Sequence, residues 1–428
     1  MGYFKQVNTS DYNMELAEDL NDEMTRAVLP VTIFVGIEVI AAFFGNIFVI
    51  YVFLFRYHVC NFRYFVLCLA ITDLTSSLTT MPGEMVTQLY WYVYPVPELC
   101  KIKSFFNVFT VSAEALCLLT IGVDRYLKVC RPLGHQMKPK HAIIICGLIY
   151  IIAFILAIPV YILWGTHDKE MMYKNQTILV TVCEKDEKWL ETNHPLQYSV
   201  AIEVIISICL FIMFVLYVFV VRALLKNKRF RANAPGRHYS PPNSSNPIEI
   251  TSTQEVSETD TPPREASTSG NIEHENVTKG ANSKCRESKV SMTPVDDDHD
   301  NRMRHSNILT LIKRTEIADK EDNSTQQNRD AVHNTYHMLS RVRRKTLIMF
   351  ILTVVFIITT ILYLTLLSFI ARSILDTLSD SGKAVYFFFF RLYFINHVIN
   401  PIIYGVLDPH FKQVVKHLKS TISATFGY

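Results

Sequence analysis

Apolar residues in this chain are gathered into blocks of about twenty or more, separated by short polar stretches that carry most of the charge. An α-helix rises about 1.5 Å per residue, so a block of about 20 crosses about 30 Å of hydrocarbon with every backbone group bonded inside the segment. Seven spans follow, at about 30–55, 64–90, 101–127, 141–164, 197–223, 344–371 and 384–407. The count is odd, which puts the two termini on opposite sides of a membrane. Basic residues flank the short loops on one side: Arg56 and Arg63, then Lys128, Arg131, Lys138 and Lys140, and later Lys412, Lys416 and Lys419. By the positive-inside rule those loops face the cytoplasm and the N-terminus lies outside.

The pattern predicts an all-α membrane protein, a seven-transmembrane helix bundle with a short amphipathic C-terminal helix. Its expected parts are an extracellular segment 1–29, helices one to five over 30–227, a third intracellular loop over 228–340, helices six and seven over 341–407, and an amphipathic helix with a short tail over 408–428. Half of the 428 residues are hydrophobic and 12% aromatic, as seven spans require. Residues 1–29 are polar and acidic and lack the apolar core of a cleaved signal peptide, so the first span is expected to act as a signal anchor. Residues 228–340 are rich in Ser, Thr, Asn, Pro and charge, with too few apolar residues to build a core. That loop is expected to be disordered, as an inert spacer or as a kinase substrate and docking segment. Asn8 and Asn175 open glycosylation sequons on the outer side, whereas those at Asn243, Asn276 and Asn323 fall inside and stay bare.

The net charge of +3 says little because the charge is unevenly placed, and no nucleic-acid partner is expected. The sequence carries no phosphate-binding loop and no catalytic cluster, so no enzyme is expected. It shows no inverted repeat, and the odd span count also argues against a transporter.

Several sparse polar residues stand at fixed places in these apolar blocks. Gly45-Asn46 lies in the first, and Leu69-Ala70-Ile71-Thr72-Asp73-Leu74 in the second. The third begins at Cys100 and ends at Asp124-Arg125-Tyr126, followed by Pro132. Pro159 lies late in the fourth and Tyr217 low in the fifth; the seventh carries Asn396 and Asn400-Pro401-Ile402-Ile403-Tyr404, with Phe411 beyond. In this order they resemble the rhodopsin-like (class A) G-protein-coupled receptors, and the phrase from Val123 to Leu133 resembles invertebrate peptide-receptor-like orphans. The resemblance implies a plasma-membrane receptor without a cofactor and with a Cys100–Cys183 disulfide. It also implies coupling to a heterotrimeric G protein through Asp124, Arg125, Tyr126, Tyr217 and Tyr404, an activation motif of Asn400, Pro401 and Tyr404, and arrestin and receptor kinases as further partners. Cys100 and Arg125 would lie about 37 Å apart along one helix, at opposite faces of the bilayer.

The sequence departs from that family in places. The fourth span lacks its tryptophan, with Ile149 or Tyr150 near the position, and the fifth has Cys209 near the place of its proline. In the sixth, Phe356-Ile357-Ile358-Thr359-Thr360-Ile361-Leu362 replaces a motif containing tryptophan and proline, which removes the obligatory kink. Thr359 and Thr360 remain as weaker benders, through bonds to preceding carbonyls.

Asn107 stands where amine receptors carry an aspartate, and a neutral amide cannot form the ion pair that a protonated amine wants. No lysine lies in the middle of the seventh span, which excludes an opsin. Ligand contacts are expected from Glu84, Asn107, Val111, Tyr363 and Phe390. Asp11, Glu15, Glu18, Asp19, Asp22 and Glu23, together with Glu184, Asp186 and Glu187, make the outer face acidic. This is either a solvated surface or a field that attracts a basic peptide. A neuropeptide is the leading ligand class, with a small non-amine ligand, or an atypical receptor of weak coupling, as the alternative.

Glu114 precedes Arg125 by about three turns and so shares its helix face, near the level of Asp73. Two carboxylates in low dielectric need a cation between them, or else one takes a proton. The resemblance implies a sodium ion beside Asp73, and Asp73, Glu114, Asn396 and Asn400 are its expected ligands; the open alternative is a single protonated Glu114 bonded to a neighbouring helix.

A tag at residue 1 is expected to be labelled by antibody on intact cells; labelling only after permeabilisation would reverse the topology.

Overall fold

Polar residues in the first 29 positions recur with a helical period, and this decides where the first helix begins. In the computed structural model, which describes residues 9–232, 325–367 and 378–426, α1 runs from Thr9 to Tyr51 and ends in a wider π turn, Val52–Arg56. Ala17, Asn21, Met24, Val28, Val31 and Val35 step by four and three residues along one face, and all are buried. Glu15, Glu18, Asp19, Asp22 and Glu23 fall on the other face, where Asp19 meets Lys174 at 3.0 Å and Glu23 accepts from the Tyr173 hydroxyl at 3.3 Å. The segment 1–29 expected ahead of the first span is thus helix from Thr9 onward. Asn8 lies outside the described residues.

The second span is two helices, α2 (Asn61–Leu78) and α3 (Thr80–Leu89). Pro82 has no N–H for the Leu78 carbonyl and its ring crowds that turn. The break falls at Thr79, with φ −128° and ψ −69°. Beyond α4 (Pro97–Cys130) and α5 (Pro139–Leu163) the chain forms a β-hairpin, β1 (Trp164–Tyr173) and β2 (Gln176–Lys185), before α6 (His194–Ala232). The two-residue turn is Lys174-Asn175, with φ of 50° and 62°. Positive φ at both central positions matches the right-handed twist of the paired strands, and Asn tolerates it better than most residues. Asn175 is exposed at that tip.

Helix α7 runs unbroken from Thr325 to Thr365. The loop expected to be disordered over 228–340 therefore gives up residues at both ends, to α6 as far as Ala232 and to α7 from Thr325; residues 233–324 lie outside the described residues. Extending an existing helix adds one hydrogen bond per residue fixed, whereas starting one is costly, so a membrane helix propagates into polar sequence. The seventh span is α8 (Asp380–Arg391), a 3-10 turn at Leu392–Phe394, and α9 (Ile395–Leu407), which contains Pro401. Helix α10 (Pro409–Phe426) follows, the expected amphipathic helix.

Among the described residues six helices are long and apolar enough to cross a membrane. The seventh span is not among them because the 3-10 turn divides it into pieces of 12 and 13 residues. Ile33, Ile37, Ile40 and Phe44 on α1, and Ile144, Ile151 and Ile155 on α5, face outward. In water such a surface would be costly; facing lipid it is the expected state, and the chain is a multi-pass membrane protein.

The main core gathers Phe53, Phe62, Phe65, Leu118, Phe356 and Tyr404, from five of the spans. A second core sits at the end carrying the hairpin, where Met24 and Val28 of α1 pack with Tyr92, Ile178, Val180 and Phe387. Asn21 ties these parts together: its Nδ2 donates to the Leu89 carbonyl at 2.9 Å and its Oδ1 accepts from the Tyr92 N–H at 3.1 Å. Cys100 at the start of α4 is bonded to Cys183 in β2, the pairing that the resemblance implied. Beside it Asp186 pairs with Lys101 at 2.8 Å. Burial works against its charge, but hydrogen bonds from Lys101 and the Lys188 N–H hold that carboxyl below its ordinary range.

Cys100→Ser and Cys183→Ser are each expected to reduce surface delivery to the same degree, with the double variant no worse than either single, because one bond is lost in all three. Flow cytometry of a tagged protein reads this, and additive losses would contradict a shared bond.

Candidate functional site

In an apolar bundle a polar side chain without a partner costs several kcal/mol, so the polar residues must find one another across helices. They do so at three levels.

At mid-depth Asp73 of α2 is fully buried. Its Oδ1 lies 2.8 Å from Nδ1 of His397, and its Oδ2 accepts from Nδ2 of Asn400 at 2.6 Å. Glu114 of α4 completes the group, with Oε2 3.9 Å from the same His397 nitrogen. One donor atom each from Asp73, Glu114 and His397 lies within 4.8 Å of the other two. Asn46 of α1 holds the other side of His397, donating to its carbonyl at 2.8 Å. Gly45 beside it allows this approach, since a Cβ there would stand 2.8 Å from Cγ of Pro401. Asn396, expected in this group, turns instead to α7 and exchanges hydrogen bonds with Thr359, its Nδ2 donating at 2.9 Å. Thr359 also donates to the Val355 carbonyl at 2.9 Å, the back-bond expected of it.

At the end away from the disulfide, Arg125 is 2% exposed and is paired with the carboxylate of its neighbour Asp124. That carboxylate also accepts from Asn61 at 3.0 Å and meets Lys128 at 3.0 Å. Tyr217 of α6 receives a hydrogen bond from Thr353 of α7 at 3.2 Å, which closes these two helices beside Arg125. Tyr126 packs on Phe219 of α6, at 6.2 Å between ring centres. Tyr404 is fully buried against Phe53. The Tyr57 hydroxyl donates to Asp408 at 3.0 Å, and burial first, then this carboxylate, push its phenol well above the ordinary value. Arg341 and Arg344 at the base of α7 are exposed, whereas Lys345 lies over the Tyr57 and Phe62 rings.

At the disulfide end Glu84 of α3 meets Arg391 of α8 at 2.5 Å and Lys103 of α4 at 3.2 Å, and all three are buried. Gly83 makes room for this, because a Cβ there would come within 2.6 Å of Cγ of Lys103. Arg391 lies over the ring of Phe390 at 4.8 Å. Tyr363 stacks with Phe390 at 5.0 Å and meets Tyr393 at 4.7 Å, while the Tyr393 hydroxyl donates to Asn107 at 3.1 Å. Val111 packs below, against the small core of Val35, Met81 and Phe394.

The residues expected to touch a ligand, Glu84, Asn107, Val111, Tyr363 and Phe390, thus converge on one end. Asp124, Arg125, Tyr126 and Tyr217 gather at the other, with Asn400, Pro401 and Tyr404 on α9 between that end and mid-depth. Three charged or titratable residues were not anticipated: Lys103, Arg391 and His397. Each is an ionisable residue inside an otherwise apolar span, itself a signal of function in lipid. Arg391 was masked by its run of aromatic neighbours, and His397 by the asparagine before it.

The model of the 7 transmembrane receptor (rhodopsin family) matches residues 45–404. The 5-hydroxytryptamine receptor 2C of Homo sapiens is 30% identical over 121 residues, 28% of this chain and 26% of that protein. The neuromedin-K receptor of Oryctolagus cuniculus is 30% identical over 125 residues, 29% of this chain and 27% of that protein. The chain therefore aligns with little more than a quarter of either relative's length. The crystal structure of squid rhodopsin superposes with a TM-score of 0.56 at 14% identity, over 93% of this chain and 87% of that one, a likeness of fold. With the buried pairs of Asp73, Arg125 and Glu84 all lying inside the matched stretch, the chain belongs to the rhodopsin family of seven-transmembrane receptors.

Proposed function

We propose that this receptor binds a peptide from outside the cell at its disulfide end and activates a heterotrimeric G protein at its Arg125 end. The observation that carries the reading is Arg125 itself. A guanidinium 2% exposed, its charge matched by the adjacent Asp124, sits where α6 and α7 are closed over it by the Tyr217–Thr353 bond. Opening α7 from α6 would leave that cation ready for a partner entering from the cytoplasm. The exposed Arg341 and Arg344 on α7 lie beside the same entrance.

The names of the relatives divide over the ligand, one being a receptor for 5-hydroxytryptamine and the other for neuromedin-K. An ammonium ligand needs an anion, and this cluster offers Asn107 together with a Glu84 already held by Lys103 and Arg391. That weighs against an amine. A peptide finds a broad folded surface in the first turns of α1, the hairpin and the 3-10 turn after it, on which Glu15, Glu18, Glu184 and Glu187 are exposed. Their field favours a basic one. The aromatic group of Tyr363, Phe390 and Tyr393 supports the second reading, a small non-amine ligand stacking among these rings.

Basic peptides applied to membranes from expressing cells are expected to stimulate nucleotide exchange, more strongly at low ionic strength than at high. A response to amines and none to peptides would reverse the ligand reading. Arg125→Ala is expected to abolish exchange while leaving ligand affinity within about threefold, since the site lies at the far end of α4 and perturbations of separate sites are close to independent. Unchanged exchange in this variant would count against coupling through Arg125.

A further inference from the structure

The family resemblance puts a sodium ion beside Asp73, and the residues here can be tested for that ion. Hard cations take oxygen ligands, whereas imidazole nitrogen suits softer transition metals. Both oxygens of Asp73 are already committed to nitrogen groups, Oδ1 to His397 at 2.8 Å and Oδ2 to Asn400 at 2.6 Å. The Asn396 carboxamide, which would have supplied another oxygen, faces Thr359 instead. The remaining carboxylate, Glu114, faces the same His397 nitrogen at 3.9 Å. A sodium ion needs the space that the imidazole ring fills. The donor set does not fit sodium.

We infer that His397 stands in place of the ion, so that the receptor's resting state is held by a side chain and does not respond to sodium. The imidazole lies between Asp73 of α2 and Glu114 of α4 while its own helix, α9, is tied to α1 through Asn46. It therefore links the same helices that a mobile cation would link, with one difference. An ion leaves when its concentration falls, and a side chain cannot. Removing the ring should leave Asp73 and Glu114 facing each other across a cavity about one imidazole in size, and paired carboxylates in low dielectric favour a cation between them. The His397→Ser variant should thus gain the sodium response that the natural chain lacks. This holds whichever ligand the receptor binds.

The experiment uses the full chain purified in detergent, with unfolding temperature read in sodium chloride and in choline chloride at matched ionic strength. A ligand that binds only the folded state raises that temperature with its concentration. The natural chain is expected to unfold at the same temperature in both salts. His397→Ser is expected to unfold at a lower temperature in choline and to regain several degrees as sodium replaces it, and the added change Asp73→Asn is expected to remove that gain. A sodium-dependent rise in the natural chain would overturn the inference, as would a folded His397→Ser with no sodium response. Should His397→Ser not fold, the natural chain alone still decides against the inference if it responds, and His397→Asn, which keeps a donor but vacates most of the ring, carries the same expected gain. A rise produced by zinc in the natural chain and lost in His397→Gln would also overturn it, since the ring nitrogen would then hold a metal and not bond Asp73 directly.

Discussion

A carboxylate sealed in the middle of an apolar bundle sets the terms for the rest of this structure. Asp73 has no exposed surface, and leaving it unpaired would cost more than most single interactions in a protein contribute. Its partners come from the seventh span, His397 and Asn400, and the backbone of His397 is in turn fixed by Asn46. Three helices, α1, α2 and α9, are thereby held in one register. The close approach of α1 and α9 at Gly45, and the kink permitted by Pro401, are geometric conditions for these bonds to form.

The other two polar levels obey the same rule with different chemistry. At one end an adjacent pair, Asp124 and Arg125, neutralises itself within α4 and recruits Asn61 and Lys128. At the other, one carboxylate, Glu84, serves two cations from two helices. Removing one partner of a buried ion pair costs about 3–5 kcal/mol, because the other charge stays behind. These levels therefore act as joints between helices, and a change of joint is a change of helix position.

The sixth and seventh spans show where this chain has moved away from its family. Helix α7 has neither the proline nor the tryptophan that the resemblance led one to look for, and it runs unbroken through Thr359 and Thr360. The discontinuity lies instead in the seventh span, at the 3-10 turn Leu392–Phe394, directly after the buried Arg391 and close to Asn396 and His397. Tyr150, near the place of the missing tryptophan in the fourth span, donates from its hydroxyl to the Cys68 carbonyl at 2.8 Å and so keeps α5 tied to α2.

Much of the fold was legible in the sequence because a membrane leaves few solutions: about twenty apolar residues in a row must be a helix, and a polar residue among them must face inward. That reasoning gave the seven spans and the two ends of α4. The family resemblance added the Cys100–Cys183 pairing, which the structure shows. Periodicity would also have revealed the helical N-terminal segment, had its polar residues not dominated the reading. Partners across helices were another matter, because rotation and kink are set by packing and not by composition. The Pro82-Gly83 break decides that Glu84 meets Lys103, and the 3-10 turn decides that Arg391 points inward to join them. A one-residue difference in helix phase separates Asn396, which turns to Thr359, from His397, which turns to Asp73. The sequence determined which polar groups had to be satisfied, since burial forbids leaving them bare; only the tertiary structure decided with whom, since that depends on distances of a few ångströms between helices far apart in the chain.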